Sequence, residues 1–153
     1  MITLSEQLQG IVRQYVSDNQ PWPATARQIA GWAIGKKMWA PPQAQLIGQC
    51  AEQIARAMGH EYITDPQGRT VRAKHAARVQ QNGEQKVLWN DIRNADRPFM
   101  QISFQQRRQQ IVGDCSQLKA DVESFNENSN PGPPIQLSLD FTADVQEREA
   151  LAV

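Results

Sequence analysis

Four basic side chains, Arg69, Arg72, Lys74 and Arg78, follow one another with no acid between them. The chemistry open to such a run is electrostatic. Clustered cations raise a local positive field that attracts an anionic partner. The residues around them decide where the charges point. Val71, Ala73, His75, Ala77 and Val79 are apolar or neutral, while Thr70, Arg72, Lys74, Arg78 and Gln80 are polar, and only Ala76 is out of step. That period of two predicts a half-buried strand whose cations share its open face. Solvent-facing strand cations also serve solubility and discourage edge pairing, so the pattern alone leaves both uses open.

Catalytic chemistry has little support. His60 and His75 are the only histidines. His75 falls on the apolar side of the alternation, which suits a half-buried, hydrogen-bonded ring better than a general base. The 16 carboxylates are scattered, with no pairing that marks acid–base work. There is no glycine-rich phosphate loop, nucleophile elbow or metal-ligand spacing. The expectation is a protein that is not an enzyme and needs no cofactor. Trp22, Trp32, Trp39 and Trp89 could stack on bases, although tryptophans in a small domain also build its core. Cys50 and Cys115 lie far apart and read as buried free thiols of a reducing compartment. Neither a signal peptide nor an apolar run of membrane-spanning length is apparent, so a cytoplasmic protein with no membrane partner is expected.

Length and charge set the frame. The chain has 153 residues and a formal net charge of zero, which argues against indiscriminate nucleic-acid binding. The charge is unevenly spread. Residues 1–113 hold 14 Lys/Arg against 8 Asp/Glu, a net +6, and residues 114–153 hold 2 against 8, a net −6. A basic body followed by an acidic tail is expected.

Several elements must position the cations. Leu4, Leu8, Ile11, Val12 and Tyr15 predict a first helix, with Thr3 or Ser5 as its cap. Thr25 to Ala30 opens a second, ended by Gly35 beside Lys36 and Lys37. A third starts at Pro41-Pro42, with Leu46, Ile47, Cys50, Ile54 and Met58 on its apolar face and Gly59 as its cap. Two hairpins follow. Asp65-Pro66-Gln67-Gly68 suits a type I turn, and Asn82-Gly83 is the strongest short hairpin signal. After Asp96 and Pro98, a long helix is expected to about Asn126. Phe104, Ile111, Leu118 and Phe125 fall seven apart on it, with Arg108, Cys115 and Val122 in the intervening heptad slots. This stripe is expected to pack on the chain's own N-terminal domain, with dimerisation as the alternative; Gly113 suggests a close contact or a kink. Asn126 to Pro134 reads as a linker. The domains expected are therefore 1–93, the helix 94–127, and a linker and fraying tail 128–153.

Three helices followed by a β-hairpin resemble the winged helix-turn-helix over residues 4–89, and Thr25-Ala26-Arg27-Gln28-Ile29-Ala30 resembles the opening of the second helix in such domains. The turn Gly35 to Pro41 is longer than is usual there. The resemblance implies an α+β winged-helix domain, a long C-terminal helix and a flexible acidic tail. It also implies double-stranded DNA as partner, in transcription, replication or mobile-element control. The third helix would read bases through Gln43, Gln45, Gln49 and Arg56, since glutamine pairs with adenine and arginine with guanine. Lys36, Lys37, Arg69, Arg72, Lys74 and Arg78 would neutralise phosphates. A second resemblance lies in Gln136-Leu137-Ser138-Leu139-Asp140-Phe141, which is similar to the peptide by which bacterial proteins dock on the replicative sliding clamp. It implies a protein partner held by Gln136, Leu137, Leu139 and Phe141, and an adapter role as the alternative to DNA binding.

Overall fold

A computed structural model describes residues 2–41 and 45–152, and it divides into two compact units, residues 1–55 and 56–153. In the first unit, Thr3 opens α1 (Leu4–Ser17) and Thr25 opens α2 (Ala26–Gly35), both by a capping box. The Thr3 hydroxyl accepts from the Glu6 N–H at 3.1 Å, and the Glu6 carboxylate accepts from the Thr3 N–H at 2.8 Å. Gln28 does the same for Thr25. Each box satisfies two backbone donors that a helix start would otherwise leave free. Tyr15 is the buried anchor of α1. Its hydroxyl donates to the Pro21 carbonyl at 2.7 Å, and its ring meets Trp32 edge-on at 5.4 Å.

Helix α3 (Leu46–Gly59) crosses the division at Ala55/Arg56. Of its expected start at Pro41-Pro42, Pro41 is not helical and Pro42 lies outside the described residues. None of its described residues is buried. Leu46, Ile47, Cys50 and Ile54, expected to face inward, are exposed. Amphipathic spacing marks a face able to bury, without supplying what buries it.

The second unit carries two antiparallel hairpins. β1 (Tyr62–Thr64) pairs with β2 (Thr70–Arg72), and β3 (Lys74–Gln81) pairs with β4 (Glu84–Asp91). The first turn closes by Gly68 N–H donating to the Asp65 carbonyl at 2.9 Å, with Gly68 at φ +86°. Asn82 and Gly83 both have positive φ, +53° and +78°, the backbone of a two-residue type I′ turn. That turn sets the register, Gln81 opposite Glu84 and so outward to Lys74 opposite Asp91. Ala73, fully buried, joins the hairpins: its N–H donates to the Glu61 carbonyl and its carbonyl accepts from Ile92, each at 2.9 Å.

Helix α4 (Arg97–Asn128) starts behind Asp96 with Pro98 in its first turn and lies along the free edge of β3. Ser103 donates to the Ala76 carbonyl at 2.6 Å. The Gln106 amide accepts from the Arg78 N–H at 2.7 Å and donates to the Arg78 carbonyl at 2.8 Å. The helix thereby covers an edge that would otherwise present unpaired backbone. His75 and Ala77 are buried at this seam, as the alternation predicts, and Ser103 of α4 is buried with them. His75 Nε2 donates to the Arg72 carbonyl at 2.9 Å, and its ring meets Phe104 edge-on. The heptad stripe beyond is open within the second unit, where Phe104, Ile111, Leu118 and Phe125 keep 43–52% of their surface. Gly113 lies inside the helix, and a Cβ there would meet nothing within 4 Å, so no close contact explains it.

The expected linker and fraying tail are more ordered than composition suggests. The Asn126 side chain pairs with both backbone groups of Ile135, at 2.9 and 3.0 Å, and Asn130 ties Gly132 and Pro133 into the turn. Residues 135–140 have no regular secondary structure, and Thr142–Leu151 form α5. Asparagine and glycine, read as signs of flexibility, here close a turn by side-chain hydrogen bonds. The architecture is a mixed α+β chain with five helices and two small hairpins among the described residues.

Candidate nucleic-acid interface

Register and helix placement build a groove of about 650 Å³ in the second unit. One wall is the β3–β4 face that carries Lys74, Ala76 and Arg78 from β3 and Val87 and Trp89 from β4. The other is the α4 face with Ser103, Gln106, Arg107, Gln109 and Gln110, and Arg72 lies at the β2 end. Four cations line the groove and no carboxylate does. The indole of Trp89, opposite Ala76, is half-buried in its floor.

The cations are not equivalent. Lys74 Nζ sits 3.0 Å from Asp91 Oδ2 and 3.2 Å from Glu61 Oε2. Asp91 also accepts from Arg93, at 2.6 Å from Nη2 and 2.9 Å from Nε. Hydrogen bonds from Arg93 first, then Lys74, hold the Asp91 carboxyl well below the usual range. The same contact with Asp91, reinforced by Glu61, raises Lys74. Lys74, expected as a phosphate contact, is therefore paired within the hairpin junction with Asp91 and Glu61. Arg69 is similarly engaged. Its Nε donates to Asp65 Oδ2 at 2.7 Å, and the Arg69 backbone N–H, the larger influence on Asp65, donates to Oδ1 at 2.8 Å. Arg69 thus braces the first turn. Arg72, Arg78 and Arg107 have no ion-pair partner among the described residues and carry the groove's free charge.

The remaining residues are dispersed. Lys36 and Lys37 are exposed at the end of α2, with Lys37 at φ +58°. Gln45 is exposed and Gln49 half-buried at the start of α3, both in the first unit; Arg56 is exposed in the second; Gln43 lies outside the described residues. In the tail, Gln136 is exposed, and Leu137, Leu139 and Phe141 keep 38–40% of their surface. Ile135, Leu137 and Leu139 lean on Lys119, Val122, Glu123 and Asn126 of α4 around a crevice of about 180 Å³.

Sequence reasoning missed Arg107 and Gln106. Nothing local links a helix residue to a strand some thirty positions earlier in the chain. The fate of Lys74 was legible in principle, because counting outward from Asn82-Gly83 sets it against Asp91. Among the described residues, no group of three or more His, Cys, Asp or Glu could hold a metal ion, and no helix is long and apolar enough to cross a membrane. No protein-family model matches the chain, and no curated protein or solved structure matches it.

Proposed function

We propose that this chain is a non-enzymatic DNA-binding protein of winged-helix type whose second unit lays its basic groove along the phosphate backbone. The observation that carries the reading is the groove itself: Arg72, Arg78 and Arg107 converge there without an acidic neighbour. Such cations set register and affinity through phosphates. The Trp89 indole offers an apolar floor, and Gln106 fixes Arg78 through its backbone. Base reading is assigned to Gln49 and Arg56 of α3 and to Gln45 just before it, on the resemblance to winged-helix domains. The setting is the cytoplasm, in control of transcription, replication or a mobile element. Titrating a labelled duplex with the full chain across a range of salt tests the reading. Release of condensed counterions makes affinity fall steeply with salt, whereas affinity that is flat in salt speaks against it.

A second reading rests on the tail. Leu137 and Leu139 lie outside regular secondary structure, Phe141 caps α5, and all three remain two-fifths exposed, so their side chains are open to a partner's groove. In this reading the segment enters a hydrophobic groove of a protein partner such as a sliding clamp, and the chain is an adapter. Docking would first break the Asn126–Ile135 pairing.

A further inference from the structure

The largest unexplained feature of the second unit is the open heptad stripe of α4. Phe104, Ile111, Leu118 and Phe125 occupy d positions and Arg108, Cys115 and Val122 occupy a positions, along about 32 Å of helix. The sheet covers α4 near Ser103 and Gln106, and the tail is tied to Asn126 beside a crevice that Lys119 and Val122 line from the edge of the stripe, with the Lys119 side chain 61% exposed. The line between them stays exposed, with Val112 beside it also open. Apolar residues scattered singly need no partner, but a continuous line at coiled-coil spacing does.

We infer that a second copy of this chain covers the stripe, the two α4 helices packing in parallel and in register. Residue type and charge both select that occupant. β-branched Val122 at a beside Leu118 at d favours two strands. A single charged a position, Arg108, specifies register and strand number at a cost in stability. In the parallel arrangement a g residue faces the e residue five positions on in the partner, which sets Asp114 against the partner's Lys119, twice by symmetry. The antiparallel arrangement, with Cys115 opposite Leu118, sets Asp114 against Asp121 instead, twice. Both aspartates are exposed and without an ion-pair partner among the described residues. Lys119 has only the surface pair with Glu123, at 3.5 Å with both side chains about 60% exposed, a contact of little worth that is easily exchanged. Parallel packing also brings the two Cys115 side chains face to face across the two-fold axis.

The test uses the full chain with Cys50→Ser, which leaves Cys115 as the only thiol. Sedimentation equilibrium at micromolar concentration should give twice the 17.2 kDa chain mass. Copper–phenanthroline in air, which takes two electrons and two protons from a pair of thiols, should yield a covalent dimer on a non-reducing gel. Asp114→Lys should raise the dimer dissociation constant about tenfold, and adding Lys119→Asp should restore it. Circular dichroism on each variant confirms that α4 is still helical. A monomer mass over the whole concentration range overturns the proposal. So does a dimer that fails to cross-link through Cys115, or one that the double charge reversal does not rescue.

Discussion

Gln106 is the residue through which the long helix holds the basic strand, and its removal gives a sharp local readout. Its amide accepts from the Arg78 N–H and donates to the Arg78 carbonyl, at 2.7 and 2.8 Å. A side chain–backbone hydrogen bond contributes about 1 kcal/mol net, and these two are solvent-exposed, so Gln106→Ala should cost roughly 1–2 kcal/mol. The edge is not lost outright, because Ser103 still donates to Ala76. Hydrogen exchange separates the effect by residue. Backbone groups of an antiparallel strand alternate between its two edges, so the Arg78 amide depends on Gln106, while those of Ala77 and Val79 point to β4. The Arg78 amide should exchange roughly 5- to 30-fold faster in the variant, as 1–2 kcal/mol implies, and Ala77 and Val79 should change little. Unchanged exchange at Arg78, with a folded protein, would refute the account of how α4 positions this strand. Equal acceleration at all three would show instead that the hairpin opens as a unit.

Two further outcomes follow from the hairpin junction and the tail. Asp91 has a depressed pKa in the folded state, so its pairing stabilises the fold above the carboxylate's ordinary 3.8 and is lost as pH falls below that value. Asp91→Asn should therefore flatten the fall in thermal stability below about pH 4 while lowering stability at pH 7; an unchanged acid limb would mean the pairing does not form in solution. Asn126→Ala removes both bonds to Ile135 and should accelerate exchange of the Ile135 amide. If the tail is a docking peptide held back by Asn126, the same variant should bind a sliding clamp more tightly, because the segment is already released; equal binding shows that docking does not need that release, and no binding by either protein excludes that use.

What was legible in the sequence follows the range of the interactions. The turns at Asp65–Gly68 and Asn82-Gly83 are written within four residues each and both form, and of the two cap candidates Thr3 and Ser5 it is Thr3 that caps α1. Alternation correctly divided His75 and Ala77 from Arg78, because side-chain direction in a strand is set by its own backbone. The long helix was visible from Asp96 and Pro98 and runs to Asn128. Contacts between distant segments were not visible. Asp91 opposite Lys74 could be counted from the Asn82-Gly83 turn, but the added pairing with Glu61 needs the junction of the two hairpins, and the entry of Arg107 into the groove needs the placement of a helix on a sheet edge. The tail was misjudged for another reason: composition reports the average behaviour of asparagine and glycine, and Asn126 and Asn130 make specific bonds here. The open faces of α3 and of the α4 stripe show the same limit, since periodicity marks an apolar face and not its partner.

The central claim is that three unpaired arginines form an anionic-backbone site. The direct measurement is the salt dependence of duplex affinity for the full chain and for the Arg72→Ala, Arg78→Ala, Arg107→Ala triple variant, compared between 50 and 200 mM salt. Each phosphate contact adds about 0.9 to the slope of log affinity against log salt, so the variant's slope should be shallower by about 2.7, with weaker binding to every duplex sequence tested. A folded triple variant with the affinity and slope of the natural chain would contradict the account and leave the groove a solvated face.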